Sequence, residues 1–398
     1  MFARLSASRG EHPIGAFAGG ALPTTLLSCC AGALLPMFDT AAVLPLRAAC
    51  KEAAAAVAAH SWEDSETLIR GRVRDWRACF PRARAANVAA KGDSDAEHRA
   101  APLQDADFVH LAGLRALNMR GNRWVTDAAL VYLAGIHTLN MSSCWQLTDA
   151  AFAHLRGIHT LNMSECDQPG ITDAAFAHLA GIHTLNMSEC RQAGITNAAF
   201  AHLRGIHTLI IDGCRQVGIN DAAFAHLTGI HTLRISSCNQ EGITDAAFAH
   251  LAGIHTLDMT NCNRGITDAA FAHLRGIHTL DMSYCNHDGI TDAAFAHLAG
   301  IHTLSINHCS QSGLTDAAFA HLRGIHTLTM FSCYQRRITD AAFAHLRGIH
   351  TLDMSYCEQG TITAAAPGHL QGIRKLVMSG CSRPVVEAAR ALGLPVHD

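Results

Sequence analysis

The sequence is poor in features that mark several classes of protein. Only 16% of its 398 residues are charged, and 30 basic side chains against 33 acidic ones give a formal net charge of −3. This balance argues against a nucleic-acid-binding protein, which concentrates basic side chains on one face. Because 49% of the residues are hydrophobic, the chain also lacks the composition of a disordered protein.

Sequence motifs of common enzymes and metal sites are absent as well. The chain has no G-x-x-x-x-G-K-[ST] phosphate loop, no G-x-S-x-G turn around a nucleophilic serine and no H-E-x-x-H metal-binding helix. Its cysteines never occur at the C-x-x-C spacing typical of structural zinc sites. We therefore expect a protein that is not an enzyme and that holds no cofactor or metal.

What dominates the sequence is one repeated phrase. Histidine occurs 27 times, against 4 tyrosines and 4 tryptophans. Residues 171–190 read ITDAAFAHLAGIHTLNMSEC, and residues 266–285 read ITDAAFAHLRGIHTLDMSYC. Twelve copies follow one another at intervals of 22 to 24 residues. Aligned on their last position, the copies end at Asn122, Cys144, Cys166, Cys190, Cys214, Cys238, Cys262, Cys285, Cys309, Cys333, Cys357 and Cys381.

Each copy has the signals of one short helix and one short strand. In the copy that ends at Cys190, Thr172 and Asp173 are suited to cap a helix, and Gly181 is suited to end it. A unit this small cannot bury its apolar side alone, so neighbouring copies must stack. We predict an α/β solenoid in the form of a right-handed horseshoe, with a parallel inner sheet and short outer helices.

This phrase resembles a leucine-rich repeat. Its pattern L-x-x-I-x-x-L-x-M-x-x-C and a period of about 20 to 29 residues are typical of that family. The resemblance implies that the last residue of each copy points inward and forms hydrogen bonds with backbone. Eleven of the 15 cysteines occupy this position, and buried unpaired thiols in such number indicate a reducing compartment. We therefore expect a cytoplasmic or nuclear protein.

Histidines form two rows with one member in each copy. One row lies in the helices and the other directly precedes the strands. The helical row comprises His154, His178, His202, His226, His250, His273, His297, His321, His345 and His369, and the strand row comprises His137, His159, His183, His207, His231, His255, His278, His302, His326 and His350. Stacked imidazoles could bind a metal or repel one another when protonated. We favour the alternative that they were copied with the scaffold and are half exposed.

The positions that differ between copies lie on the predicted concave face. The helical phrase DAAFAHL recurs nearly unchanged from residue 149 to residue 346, whereas the outward-facing strand and turn positions change. Exposed aromatic side chains are typical of binding hot spots, and the aspartates among them favour a basic partner segment. The predicted surface for binding a target protein comprises Arg234, Asp258, Asp281, Tyr284, His308, Phe331, Tyr334, Asp353 and Tyr356.

The first hundred residues differ in composition from the repeats. Residues 14–38 carry no charge, but glycines and prolines interrupt them, so we expect neither a membrane-spanning helix nor an export signal. Residues 1–20 are expected to be disordered.

Residues 21–62 resemble an F-box, a small helical module that docks an adaptor protein. The resemblance is carried by the Leu22-Pro23 start, Asp39, the Cys50-Lys51 pair and the trailing Trp62. It implies that a Skp1-type adaptor, and through it a cullin complex, binds the following residues: Leu22, Pro23, Leu26, Leu27, Leu34, Leu35, Cys50 and Lys51. The segment departs from the pattern at Pro45 and Ala49. The alternative is a helical cap for the solenoid.

These interpretations give a predicted organisation of five parts. Residues 1–20 are disordered, 21–62 form the F-box-like all-α module, 63–102 form a helical linker with a degenerate cap repeat, 103–383 form twelve repeats and 384–398 form a C-terminal cap. The whole resembles the F-box/leucine-rich-repeat proteins with cysteine-containing repeats. That resemblance implies a substrate receptor of a Skp1–cullin–F-box ubiquitin ligase in ubiquitin-dependent protein degradation. A repeat scaffold with no ligase role is the alternative.

Overall fold

A computed structural model describes residues 39–49, 51–90, 102–262 and 265–397. The described chain forms one parallel sheet of 14 strands, and the strands lie in the sheet in chain order. The strands are β1 Ala85–Asn87, β2 Ala116–Asn118, β3 Thr138–Asn140, β4 Thr160–Asn162, β5 Thr184–Asn186, β6 Thr208–Ile210, β7 Thr232–Arg234, β8 Thr256–Asp258, β9 Thr279–Asp281, β10 Thr303–Ser305, β11 Thr327–Thr329, β12 Thr351–Asp353, β13 Lys375–Val377 and β14 Val396–His397. This arrangement confirms the predicted leucine-rich-repeat solenoid with a parallel sheet.

The pairing register follows from the repeat. Each strand residue pairs with the residue at the same position of the next copy, as Leu161 pairs with Leu185 and Leu185 with Leu209. A slip by one residue would turn every core leucine toward solvent. Burial of the leucines therefore fixes the register along the whole sheet.

Short helices and 3₁₀ turns lead the chain from one strand to the next, and three helices of the described chain precede β1. The helices are α1 Leu44–Ala49, α2 Lys51–Ala59, α3 Val73–Cys79, α4 Asp127–Leu130, α5 Asp149–Phe152, α6 Asp173–Phe176, α7 Asn197–Phe200, α8 Asp221–Phe224, α9 Asp245–Phe248, α10 Asp268–Phe271, α11 Asp292–Ala296, α12 Asp316–Ala320, α13 Asp340–Ala344 and α14 Arg383–Ala391. Turns of 3₁₀ helix occupy Asp105–Leu111, Val131–Leu133, Ala153–Leu155, Ala201–Leu203, Ala249–Leu251 and Ala366–His369.

The residues predicted to begin and end the repeat helices do so in the structure. Thr172 is the N-cap of α6, and its side chain accepts a hydrogen bond from the Ala174 N–H at 3.3 Å. Gly181 adopts a φ of 83° after the helix, a left-handed conformation that favours glycine. Both predictions for this copy are confirmed.

One hydrophobic core runs through the solenoid between the sheet and the helices. The repeated helical phenylalanines, such as Phe176, are fully buried and pack with the strand leucines and methionines. Adjacent strands lie about 4.8 Å apart, whereas a helix with its side chains is about 10 Å wide. The stack therefore bends with its sheet on the inner side, and the exposed side of the sheet is called the concave face below.

The cysteine row lies inside the core, and its hydrogen bonds join neighbouring repeats. Cys190 is buried, and its Sγ donates to the carbonyl oxygen of Met163 in the preceding repeat at 3.1 Å. Asn122 fills the same role in the first copy, with its Nδ2 2.9 Å from the Val88 oxygen and 2.8 Å from the Met119 oxygen. Inward orientation and backbone bonding are thus confirmed, with the bond crossing to the preceding copy.

Two further rows of polar side chains also join the repeats, and the sequence analysis missed both. A glutamine two residues after the cysteine donates to the carbonyl oxygen of the preceding cysteine, as Gln240 does to Cys214 at 2.8 Å. A helical aspartate accepts both the N–H and the O–H of the next capping threonine, as Asp149 does from Thr172 at 2.7 Å each. Their recurrence in most copies of the sequence was the available signal.

The N-terminal helices pack on the start of the same core. Trp62 is buried, its Nε1 donates to the Val57 carbonyl oxygen at 2.9 Å, and its ring packs edge-on against Phe80 at 5.5 Å. The Trp62 carbonyl oxygen accepts the N–H of Arg84, at 2.7 Å, next to β1. Residues 39–62 are therefore joined to the sheet through Trp62.

Most of the predicted adaptor-binding residues lie outside the described residues. These are Leu22, Pro23, Leu26, Leu27, Leu34, Leu35 and Cys50. Lys51 is exposed at the first position of α2, and Pro45 lies at the second position of α1. The F-box-like character of the segment stays a prediction.

The C-terminal end contains one element that the sequence analysis did not predict. Helix α14 covers the last repeats with Val385 and Ala389 buried, as expected of a cap. After it, β14 pairs in parallel with β13, so the sheet continues past the twelfth repeat. Among the described residues, no helix is both long and apolar enough to span a bilayer.

Candidate functional site

Four rings form a continuous row on the concave face across the eighth to eleventh repeats. Tyr284 stacks on His308 with ring centroids 4.3 Å apart, His308 contacts Phe331 at 5.0 Å, and Phe331 contacts Tyr356 at 5.2 Å. Tyr284 and Tyr356 are each 45% exposed. We call these four residues the aromatic stripe.

The stripe side chains stand on an unusual backbone position. The residue before each repeat cysteine has a left-handed backbone, with a φ between 53° and 68°. Tyr284, His308 and Tyr356 are three of these residues. Glycine, which occurs there in Gly213 and Gly380, adopts this conformation most easily. Tyrosine and histidine instead cost about 1 kcal/mol or more each at such a position. Large side chains kept at this conformational cost indicate a role for the side chains themselves.

Phe331 completes the row from a different position. The left-handed residue of its repeat is Ser332, which carries no ring. Phe331 lies one residue earlier, where its N–H donates to Asn307 Oδ1 at 2.9 Å, and its ring bridges His308 and Tyr356. Three left-handed residues and one residue of the turn after β11 thus make one surface.

Tyr334 lies beside the stripe and not in it. It follows Cys333 in the loop after the strand and is 52% exposed. Its hydroxyl accepts a hydrogen bond from Ser332 Oγ at 3.0 Å. The predicted aromatic residues therefore lie together, with Tyr334 at the border.

The predicted charged residues divide into two groups. Arg234 lies between two carboxylates, 2.8 Å from Asp212 and 3.4 Å from Asp258, so these charges largely compensate one another. Burial raises the pKa of Asp212, although Arg234 acts in the opposite direction. Sequence analysis did not include Asp212 in the site.

Asp281 and Asp353 have no ion-pair partner within the part of the chain that the structure describes. Each accepts a backbone N–H at 2.9 Å, from Ser283 and Ser355 respectively. They end β9 and β12, the strands that lead to Tyr284 and Tyr356. The stripe is therefore bordered at both ends by an acidic side chain.

Two further exposed tryptophans lie in the loops after the first two repeats. Trp145 is 46% exposed, its ring lies 4.3 Å from the guanidinium of Arg123, and its Nε1 donates to the Glu165 oxygen at 3.2 Å. Trp124 is 70% exposed. The sequence analysis left both tryptophans out of the site, although their rarity was a signal.

The strand row of histidines forms a regular stack along one edge of the sheet. Centroids of neighbouring rings lie 4.3 to 4.5 Å apart with interplanar angles of 10° to 16°. Parallel rings direct their nitrogen lone pairs side by side, whereas one metal ion needs converging ligands. Among the described residues, no group of three or more His, Cys, Asp or Glu side chains is placed to hold a metal.

Comparison with known proteins assigns the class of the chain. The sequence profile of the BspA type leucine-rich repeat region matches in six copies over residues 132–251 and 217–350, which is more than half of the chain. The protein therefore belongs to that leucine-rich-repeat family. Among curated proteins, none matches the sequence.

Solved leucine-rich-repeat structures share the fold at low sequence identity. A TLR13–ssRNA13 complex gives a TM-score of 0.61 at 18% identity over 82% of this chain and 47% of that one. The Drosophila Toll–Spatzle complex gives 0.56 at 14% identity over 81% and 47%. An internalin from Listeria monocytogenes gives 0.55 at 20% identity over 73% and 82%. The chain thus spans about half the length of the Toll and TLR13 chains that it matches.

Proposed function

We propose that this protein is a binding scaffold that captures a protein partner on the aromatic stripe. The observation that carries the proposal is the row of Tyr284, His308, Phe331 and Tyr356, whose two tyrosines are exposed and whose other two rings are half-buried. Three of the four residues have a left-handed backbone. Aromatic side chains dominate the binding energy of protein interfaces. The helical sequence is nearly identical between copies, whereas the concave positions vary. This contrast is expected of a solenoid whose scaffold is fixed and whose binding face has diversified.

Asp281 and Asp353 indicate the chemistry of the partner segment. They end β9 and β12, three strands apart, which corresponds to about 14 Å at about 4.8 Å per strand. An extended peptide that crosses the strands covers this distance in about four residues. We therefore propose a segment with two basic residues about four positions apart and apolar side chains between them, which would lie on the stripe.

Selection from a displayed peptide library tests this proposal. Peptides selected on the wild-type protein should carry the basic spacing, and the Phe331→Ala, Tyr356→Ala double variant should lose about 2 to 4 kcal/mol of their binding energy. Trp145→Ala is the matched control, because it removes a ring of similar exposure, 46% against 45% for Tyr356, outside the stripe. Peptides that bind the wild type and the stripe variant equally well would contradict the proposal.

The narrower hypothesis is that the protein is a substrate receptor of a Skp1–cullin–F-box ubiquitin ligase. The F-box-like pattern of residues 21–62 motivates it, and the exposed position of Lys51 at the start of α2 is compatible with docking. Purified Skp1 should bind the wild-type chain at micromolar concentration and should not bind Leu26→Asp with Leu27→Asp. If wild-type protein does not bind Skp1, the ligase hypothesis is wrong, and the scaffold proposal stands by itself.

A further inference from the structure

An apolar patch interrupts the helical side of the solenoid near its N-terminal end. Val109 and Val131 occupy the same helical position in the first two copies and are 49% and 51% exposed. Tyr132 directly follows Val131 and is 39% exposed. We call these three residues the N-terminal patch.

The patch departs from a helical sequence that is otherwise nearly constant. The ten later copies have alanine or glycine where the first two have valine, and all the other copies have histidine where the second has Tyr132. Among the described residues, none of the helices and 3₁₀ turns of the ten later copies carries an exposed large hydrophobic side chain. A general requirement of the repeat would recur in every copy, so the patch indicates a contact made only at this end of the solenoid.

The N-terminal helices bring the start of the described chain close to the patch. Helix α1 packs on α2, α2 packs on α3, and α3 packs on the turn Asp105–Leu111, which contains Val109. Because packed helices lie about 8 to 10 Å apart, these three steps separate α1 from Val109 by at most about 30 Å. The chain that precedes Asp39 therefore starts within reach of the patch.

Residues 21–38 have a composition that suits the patch. They lie outside the described residues, contain no charged residue and include the pairs Leu26-Leu27 and Leu34-Leu35. Leu27 precedes Asp39 by 12 residues, and an extended chain of that length spans up to about 40 Å. The pair Leu26-Leu27 can therefore reach Val109 and the neighbouring turn with Val131 and Tyr132.

Helix α3, which lies between α2 and the patch, contains a hydrogen-bond donor without an acceptor. The Nε1 of Trp76 is buried and donates to no atom among the described residues. Buried N–H groups in folded proteins nearly always have an acceptor. A carbonyl oxygen of a segment that runs along α3 toward the patch would supply one.

The size of the patch favours an occupant from the same chain. A stable interface between separate proteins involves about 20 to 30 residues on each side, whereas the patch consists of three. A tethered segment needs fewer contacts, because its effective concentration at a site within its reach is already high.

We propose that residues 21–38 bind the N-terminal patch of their own chain, with Leu26 and Leu27 in contact with Val131 and Tyr132. This contact is separate from the aromatic stripe and forms without any adaptor, so its test does not depend on the ligase hypothesis. Because Leu26 and Leu27 are also predicted Skp1 contacts, Skp1 and the patch would compete for them.

Crosslinking in the full chain tests the proposal, because residues 21–38 contain Cys29 and Cys30. In Tyr132→Cys, a short bismaleimide should join the new thiol to Cys29 or Cys30 within one chain, as mass spectrometry of the linked peptides would show. His250→Cys is the matched control, since His250 occupies the same helical position in a later copy. It should give at least about tenfold less of this link, because the tethered segment is concentrated near the patch alone. Equal yields from the two variants, no link from Tyr132→Cys, or a link only between two chains would each overturn the proposal.

Hydrogen exchange gives a second test that needs no added thiol. Val109→Asp with Val131→Asp should speed amide exchange in residues 21–38 by at least about tenfold, because the bound state protects these amides. Ala225→Asp with Ala249→Asp changes the same exposed position in two later copies and should leave the exchange unchanged. Circular dichroism checks that each variant is folded, and the crosslinking result decides if the patch variant is not. Unchanged exchange in a folded patch variant would refute the proposal.

Discussion

A single irregularity in the aspartate–threonine row offers a test of how the repeats are held together. In ten contacts a helical aspartate accepts the O–H of the next capping threonine at 2.6 to 2.7 Å. At one contact both residues are asparagine. Asn197 Nδ2 donates to Asn220 Oδ1 at 2.9 Å, and the Asn220 N–H donates to Asn197 Oδ1 at 3.0 Å.

The substitution Asn197→Asp should be costly, although it restores the repeat consensus at its own position. It places a carboxylate oxygen against Asn220 Oδ1, and both atoms are acceptors. Rotation of the Asn220 amide would offer a donor but would withdraw Oδ1 from the Ala222 N–H, the cap contact at 3.0 Å. Loss of such a cap costs about 1 kcal/mol, and a poorly matched half-buried acceptor adds a similar amount. We expect Asn197→Asp to lower the free energy of unfolding by about 1 to 2 kcal/mol.

Adding Asn220→Thr to Asn197→Asp should recover most of that loss, because threonine can donate to the new carboxylate. The assay is urea unfolding followed by circular dichroism, with equal m values as a condition for comparing free energies. Asp173→Asn, which faces Thr196, is the matched control and should cost less, since a threonine hydroxyl can turn from donor to acceptor. A coupling energy within the additivity error of about 0.5 kcal/mol would refute the account of this contact.

Three further predictions concern pH, the thiols and the N-terminal helices. The lowered pKa values of His183, His231 and His302 mean that the native state binds fewer protons than the unfolded chain. Their contribution to stability is therefore present above the unfolded pKa of about 6.5 and is lost as pH falls through the lower folded pKa values. The melting temperature should consequently drop between about pH 7.5 and pH 5. A melting temperature that does not change over this range would contradict the prediction. Burial raises the pKa of Cys214 to about 12, and it should react with a disulfide reagent at pH 8 only after urea unfolding, as mass spectrometry of labelled peptides would show. Trp62→Ala should cost about 3 to 5 kcal/mol and expose residues 39–62 to proteolysis; unchanged protease resistance would show that these helices are not held by the ring.

The repeated phrase determined the backbone of this protein. Twelve nearly identical units can bury their phenylalanines and leucines only by stacking in one register, so the parallel sheet followed from the pattern. The inward cysteine row followed from the resemblance of that pattern to a leucine-rich repeat. The phrase did not extend to the chain ends, where β14 added a strand and Trp62 joined the first helices to the sheet. Those contacts join residues with no repeated partner to mark them.

Only the tertiary structure shows which side chains of neighbouring repeats contact one another. The pattern placed Arg234, Phe331 and Tyr356 on one face, but only the stacked geometry shows Arg234 held between two carboxylates and Phe331 bridging His308 to Tyr356. Such contacts join residues about 24 positions apart, at distances that depend on backbone dihedrals and side-chain rotamers. A one-dimensional period fixes which positions become neighbours, whereas the three-dimensional packing fixes which of their atoms meet.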